Sequence, residues 1–108
     1  MSGKILQINY RFNVSPGVHG ETVSTVAEPI AAAPGLRWKI WLVNADEQTA
    51  GGIYLFDDED AVETFLASDL VGNVLAHPAL SDFEVKQFDV NEELTAITRG
   101  PLSVHAAG

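Results

Sequence analysis

The chain has 108 residues, of which 46% are hydrophobic, and it carries a formal net charge of −9. This length fits one domain with a modest core, and the hydrophobic fraction predicts a folded rather than a disordered chain. The acidic balance argues against binding to nucleic acid through phosphates and to anionic membrane surfaces, because both need clustered Lys and Arg. A small molecule, a protein partner or both remain as ligands.

The sequence shows no sign of secretion or membrane insertion. No apolar run approaches the roughly 20 residues that cross a bilayer, and the N-terminus lacks the zones of a signal peptide. The chain has no cysteine, which excludes disulfides and thiol chemistry. We therefore expect a cytoplasmic protein.

The first third of the chain predicts a strand followed by a helix. Residues 4–12 alternate between apolar and polar positions, which indicates a half-buried strand. Residues 13–20 contain Pro and Gly and predict a loop. Residues 21–33 have helical spacing, and we expect Pro29 to kink or break that helix before a Pro-Gly pair ends it.

Residues 35–44, GLRWKIWLVN, contain both tryptophans of the chain, Trp38 and Trp41. A spacing of three puts them on one face of a helix but on opposite faces of a strand. The Trp, Ile and Val content favours a strand. Because the face that holds Trp38 is otherwise wholly apolar, we expect Trp38 to face the helices and Trp41 to face a partner subunit.

The remaining elements follow the same kind of pattern. Residues 50–56 predict a strand whose two glycines allow a bulge or a close approach by another group. The four carboxylates of residues 57–60 are better explained as a helix start, where acidic side chains suit the dipole, than as a metal site.

The end of the domain predicts one more strand. Residues 68–78 are expected to form a loop with a short helical turn. Residues 82–90 predict a strand with a bulge near Gln87, and Asn91 can cap a terminal turn.

The order β-α-β-β-α-β predicts an α+β, ferredoxin-like protomer formed by residues 1–97, with residues 98–108 as a flexible C-terminal tail. Two helical segments would cover one face of the sheet and leave the other face open. Because exposed apolar sheet faces mark association surfaces, we expect a homodimer that pairs through the open face.

Three motifs are similar to those of the YdhR-like monooxygenases, within the dimeric α+β barrel superfamily. They are W-K-x-W at residues 38–41, A-G-G-I-Y-L-F at residues 50–56 and F-D-V-N-E at residues 88–92. The resemblance covers residues 5–97. It implies a dimer with paired sheets and a pocket between sheet and helices, where a monooxygenase acts on a small aromatic or apolar substrate.

The wider superfamily includes cofactor-independent oxygenases and haem-degrading enzymes. Haem degraders have an Asn on the first strand, a Trp at the end of the third and a His on the second helix. Here Asn9 or Tyr10 stands at the first position, Phe56 replaces the Trp, and His77 lies late in the chain. The resemblance therefore does not extend to haem degradation.

No cofactor or metal is expected. The chain lacks the Gly-rich frame of a nucleotide site, so the route implied by the resemblance is cofactor-independent, with the substrate anion reducing O2. The histidines, His19, His77 and His105, lack the spacing of zinc ligands. The alternative function is that of a non-catalytic, small-ligand-binding or stress-response dimer of the same fold.

The candidate site residues are aromatic or polar. The substrate-binding candidates are aromatic because flat rings stack on flat ligands: they are Tyr10, Trp38, Trp41, Tyr54 and Phe56. For catalysis, Asn9 could hold a substrate oxygen, Tyr54 could orient a hydroxyl, and His77 could act as a base near neutral pH. Each of these also has an ordinary structural explanation in the core, at the surface or at the dimer interface.

Overall fold

The computed structural model describes residues 3–102. Its elements are β1 (Lys4–Phe12), α1 (Pro16–Ser24), α2 (Ala27–Ala31), β2 (Leu36–Asn44), β3 (Thr49–Phe56), α3 (Glu59–Leu66), α4 (Asp69–Leu75), β4 (Leu80–Asp89) and α5 (Glu92–Ile97). The strands form one antiparallel sheet in the order β2-β3-β1-β4. The predicted ferredoxin-like α+β fold is confirmed. The first expected helical segment consists of two short helices, α1 and α2, and the second, α3, is followed by a further short helix, α4.

The first helical segment begins earlier than predicted. The loop expected at residues 13–20 is wrong in its second half, because Ser15 caps α1 and its Oγ accepts a hydrogen bond from the backbone N of Val18 (3.2 Å). Pro16, at the first helical position, has no N–H to leave unsatisfied. The break precedes Pro29, which lies in the first turn of α2, where its missing N–H costs little.

Side-chain caps also begin the later helices. Asp58 accepts from the backbone N of Ala61 (2.9 Å) at the start of α3, which confirms that the acidic run begins a helix. Ser68 caps α4, a seven-residue helix in the segment expected to be mostly loop. Asn91 caps α5 as predicted, accepting from the backbone N of Leu94 (3.0 Å).

The β1–β4 ladder places its irregularity away from the predicted position. Pairing is continuous from Lys4 with Asp89 to Asn9 with Glu84, so the bulge expected near Gln87 is wrong. The register shifts beyond Asn9 instead, near Asp82, whose φ of 56° is left-handed. The strained residue therefore lies near the start of β4, away from Gln87.

A second irregularity, in β2, decides which way the tryptophans point. Leu36 pairs with Phe56 of β3, whereas Trp38 pairs with the next residue, Leu55, so Arg37 is an extra residue in the ladder. Such a bulge reverses the alternation of side chains that follows it.

After this bulge the helix-facing positions of β2 are Lys39, opposite Tyr54, and Trp41, opposite Gly52. Trp38 faces the open side. The expectation that Trp38 faces the helices and Trp41 the partner is therefore wrong. Simple alternation from Leu36, which does pack against the core, missed the extra residue.

The core lies between the sheet and the helices. Its buried members are Leu6, Ile8, Ile30, Tyr54, Phe56, Val62, Phe65 and Val71. A smaller cluster of Phe12, Ala50 and Leu80 extends the core toward the far end of β1. On the opposite face, Ile40 and Phe88 are 51% and 47% exposed. One face therefore supplies the core, and the other retains exposed apolar surface.

The segment after α5 returns to the start of β2. Trp38 donates from Nε1 to the carbonyl of Pro101 (2.7 Å), and Arg37 donates to the carbonyl of Leu102 and from Nε to Asp57 (2.7 Å). These contacts fix the described part of the expected tail, and residues 103–108 lie outside the described residues. Within residues 3–102, no helix is both long and apolar enough to cross a membrane.

Candidate functional site

A cavity of about 240 Å³ lies between the sheet and helices α1–α4. Side chains from three strands form one wall: Ile8, Tyr10, Lys39, Trp41 and Tyr54. The helix wall is mostly aliphatic and includes Val23, Val26, Ile30, Leu70, Val71 and Val74. An apolar space with a few convergent polar groups is typical of a small-molecule site.

The two glycines of β3 leave space on both faces of the sheet. A Cβ on Gly52 would clash with Cε of Lys39. The absence of a side chain at Gly52 therefore leaves room for the lysine side chain to lie across the strand at this point. A Cβ on Gly51, on the other face, would meet the backbone carbonyl of Ile8. The close approach that the sequence suggested at these glycines is made by a side chain on one face and by backbone on the other.

Lys39 lies at the cavity wall among aromatic rings. Its Nζ is 3.2 Å from the ring centroid of Trp41 and 4.5 Å from that of Tyr54. The rings attract the charged form, but burial lowers the pKa of Lys39 from 10.5 to about 7. The ion pairs among the described residues join Lys4, Arg11 and Arg37 to aspartates and do not include Lys39.

Sequence reasoning missed Lys39 as a site residue. The available signal was its position in W-K-x-W, two residues before Trp41 on the same strand face. Simple alternation assigns this pair to the wrong face of the sheet, because the bulge in β2 reverses the side chains that follow it.

Tyr10 and His19 form a hydrogen-bonded pair beside the cavity. The Tyr10 hydroxyl is 2.8 Å from Nε2 of His19, and the buried His19 ring stacks on Phe12 with centroids 4.2 Å apart. Burial lowers the pKa of His19 and raises that of Tyr10, so both are neutral at pH 7. Such a pair can move a proton. His19 was missed as a partner because the start of α1 was predicted as loop.

Tyr54 lines the cavity and is backed by Phe56 and Phe65, at ring-centroid distances of 6.0 and 5.2 Å. Burial raises the pKa of Tyr54 above its usual 10. Its hydroxyl is therefore a hydrogen-bond donor at neutral pH and not a base. Phe56 is fully buried behind it and supports the wall without lining the cavity.

His77 reaches the cavity with a defined hydrogen bond. Its Nδ1 accepts from the backbone N of Ala79 (3.1 Å). In the neutral ring the proton then lies on Nε2. His77 can therefore donate to a ligand through Nε2, a different role from the base that its position in the sequence suggested.

Besides Phe56, two further candidates do not reach the cavity. Asn9 lies on the open face, opposite Gly51, and its Oδ1 accepts from Nε2 of Gln7 (2.9 Å). Trp38 lies on the same open face and donates to Pro101. Among the substrate-binding candidates, the structure brings together Tyr10, Trp41 and Tyr54.

The part of the chain that the structure describes was expected to have no metal centre. Within the described residues, no three His, Asp or Glu side chains are grouped closely enough to hold a metal ion. His105 lies outside that part of the chain.

Solved structures share this fold at low sequence identity. SnoaB, a cofactor-independent oxygenase from Streptomyces nogalater, aligns with a TM-score of 0.70 and 20% identity over 84% of this chain and 95% of its own. A protein of unknown function from Nitrosomonas europaea gives 0.72 and 16% over 84% and 91%. A dimeric ferredoxin-like protein of unknown function from Thermobifida fusca gives 0.65 and 18% over 82% and 92%.

Identities this low establish the fold alone, and no curated protein matches the chain. A family model supplies the closer assignment. The model described as "Putative mono-oxygenase ydhR" matches residues 5–101, four residues beyond the end of the resemblance seen in the motifs. The chain therefore belongs to the ydhR mono-oxygenase family.

Proposed function

We propose that this protein is a cofactor-independent monooxygenase that acts on a small aromatic substrate in the cavity between sheet and helices. The observation that carries this proposal is the cavity itself, which is largely apolar and has Tyr10, Lys39 and Tyr54 on one wall. The family supports the reaction class. The likeness to SnoaB, described as a cofactor-independent oxygenase, supports a route without a cofactor.

Oxygenation by this route takes all its electrons from the substrate. With a quinol as substrate, 1,4-dihydroxynaphthalene and O2 give 2-hydroxy-1,4-naphthoquinone and water. Two electrons come from oxidation of the quinol to the quinone and two from conversion of C–H to C–OH. Together they reduce O2, which places one oxygen in the product and the other in water. The quinol anion gives up electrons more readily than the neutral form, so the protein promotes the reaction by removing a proton.

The Tyr10–His19 pair can accept that proton. The substrate hydroxyl gives its proton to the Tyr10 oxygen while Tyr10 passes its own to Nε2 of His19, 2.8 Å away. Because burial lowers the pKa of His19, the ring is neutral at pH 7 and has a lone pair to accept with. The mostly apolar walls exclude water around the substrate anion.

We also propose that two copies pair through the open face of the sheet. Ile40 and Phe88 are both partly exposed on that face. Their ladder partners there are Ile53 and Ile5. Because Leu55 pairs with both Ile5 and Trp38, one apolar row crosses all four strands on this face. A C2 dimer would bury this surface, and the Thermobifida fusca neighbour is described as dimeric.

A second candidate is a binding protein without turnover. The raised pKa values of Tyr10 and Tyr54 favour it, because neither phenol is ionised at neutral pH to act as a base by itself. The two candidates differ in whether O2 is consumed.

The test is O2 uptake with 1,4-dihydroxynaphthalene, followed by mass spectrometry of the product under 18O2. We expect uptake above that of heat-denatured protein, one labelled oxygen in the product and no hydrogen peroxide, which autoxidation would release.

Tyr10→Phe should lower the rate by about 10²-fold or more, since it removes the proton path. Asn9→Ala, on the opposite face, is the matched control and should leave the rate unchanged. Absence of uptake across a panel of quinols and hydroxylated aromatics would reject the enzyme, and saturable binding without turnover would favour the second candidate.

A further inference from the structure

Lys39 lines the cavity but takes no part in the core or in the proposed proton path. Its amine lies over the Trp41 ring and near the Tyr54 ring, in space left by Gly52. The lining of the cavity, all of it within the described residues, contains no Asp or Glu. The positive charge is therefore partly removed from water without a carboxylate to balance it.

Such an arrangement costs folding free energy. Taking an ammonium out of water is unfavourable unless an opposite charge pairs with it, and aromatic faces compensate only in part. Met would fill the same space without that cost. The protein therefore carries an amine whose charge is unsatisfied until an anion enters the cavity.

We propose that Lys39 is the anion-binding residue of the cavity and that the ligand is a flat aromatic oxyanion, a ring carboxylate or a phenolate. Its charged oxygen lies at Nζ, and its ring extends along the aliphatic helix wall. This proposal rests on the cavity being the substrate site proposed above.

The dimensions and the neighbouring groups fit this class of ligand. An engineered protein cavity of about 150 Å³ accommodates benzene, so the cavity of about 240 Å³ has room for a larger ring system. The other ionisable groups in its lining are Tyr10 on β1, Tyr54 on β3 and His77 before β4, and α1 to α4 contribute none. Both phenols, with raised pKa values, stay neutral donors, so they do not compete for the charge of Lys39.

The test is calorimetric titration under argon with 2-naphthoate and with its neutral analogue 2-methoxynaphthalene. We expect the wild-type protein at pH 6 to prefer the anion by about 10- to 100-fold, the range of a charge-assisted hydrogen bond. Lys39→Met should abolish this preference and still bind the neutral analogue. Lys86→Met, on the open face of β4, removes the same charge and should change neither affinity.

The pH profile separates a ligand-binding role from a structural one. Naphthoate is an anion throughout pH 6–9, whereas Lys39 loses its proton above about 7. The wild-type affinity for naphthoate should therefore fall by about tenfold or more across this range, and that of Lys39→Arg should stay level. Gly52→Ala keeps the amine but displaces it, so it should also weaken the preference for the anion.

A third ligand, 2-naphthol, distinguishes the two sources of the oxyanion. If the naphtholate absorption band grows on binding at pH 8, the proton has passed from the naphthol O–H to the protein, and a phenol is a suitable ligand. If naphthoate binds and naphthol stays protonated, the carboxylate is assigned. Equal affinities for naphthoate and methoxynaphthalene, or a preference that survives in Lys39→Met, would overturn the proposal. None of these measurements needs turnover, so failure of the oxygenase proposal would appear separately as absent O2 uptake.

Discussion

Trp38 and Trp41 are three residues apart on one strand and have opposite surroundings. Trp41 contacts the amine of Lys39 at the cavity, whereas Trp38 gives its indole N–H to the backbone of Pro101. The helix face thus has the open space and ionisable groups of a ligand site. The open face holds the returning C-terminal segment and the apolar surface proposed for the dimer. Substitutions on the two faces should therefore have different effects.

The largest difference should appear in the free energy of unfolding. Phe56 on the helix face is fully buried, whereas Phe88 on the open face is 47% exposed. Phe56→Ala should cost about 3–5 kcal/mol because it leaves a cavity in the core. Phe88→Ala should cost clearly less in urea denaturation at low protein concentration, where a dimer contributes little. Equal losses would contradict the assignment of the core to one face.

The next effect concerns assembly. Ile40→Glu puts a charge in the proposed interface and should shift the sedimenting species to the 11.6 kDa monomer. Val43→Glu is the matched control, because Val43 lies on the same strand, 66% exposed, on the Trp41 side. It should leave the dimer intact. A wild-type protein that sediments as a monomer would refute the interface.

A smaller effect is expected on stability as a function of pH. The pKa of Lys39 is about 7 when folded and near 10.5 when unfolded, so the unfolded chain binds more protons between these values. The contribution of Lys39 to the free energy of unfolding therefore rises with pH from about 7 to 10.5 and is least favourable below pH 7. Lys39→Met removes the penalty and should raise Tm at pH 6 by about 4–8 °C, with a smaller gain at pH 10.

The control for this experiment is Lys86→Met, whose side chain is exposed. It should change Tm little at either pH. A gain for Lys39→Met that is the same at pH 6 and pH 10 would mean that packing, not charge, is responsible.

The order of elements could be predicted from the sequence because it depends on short periodic patterns. Alternation in residues 4–12 and the acidic start of α3 each identified an element from local residues. The strand faces were harder, because one extra residue at Arg37 reverses every side chain after it. That bulge arises from pairing with β3, a long-range contact that the local pattern of β2 does not contain.

The site was predicted only in part for a related reason. Aromatic candidates on strands could be named from residue type, and Tyr10, Trp41 and Tyr54 do line the cavity. His19 and Lys39 could not be found in that way. His19 depends on a helix start formed by Ser15 and Pro16, and Lys39 depends on the corrected face of β2 together with a glycine across the ladder.

The measurement that tests the account most directly is a ¹H–¹⁵N NMR titration of the two indole N–H signals with 2-naphthoate, assigned with Trp38→Phe and Trp41→Phe. We expect the Trp41 signal to shift saturably, with the affinity measured by calorimetry, because this ring borders the cavity. The Trp38 signal should stay in place, since its N–H donates to Pro101 on the other face. A saturable shift of Trp38 with no change at Trp41 would place the ligand on the open face and contradict the account.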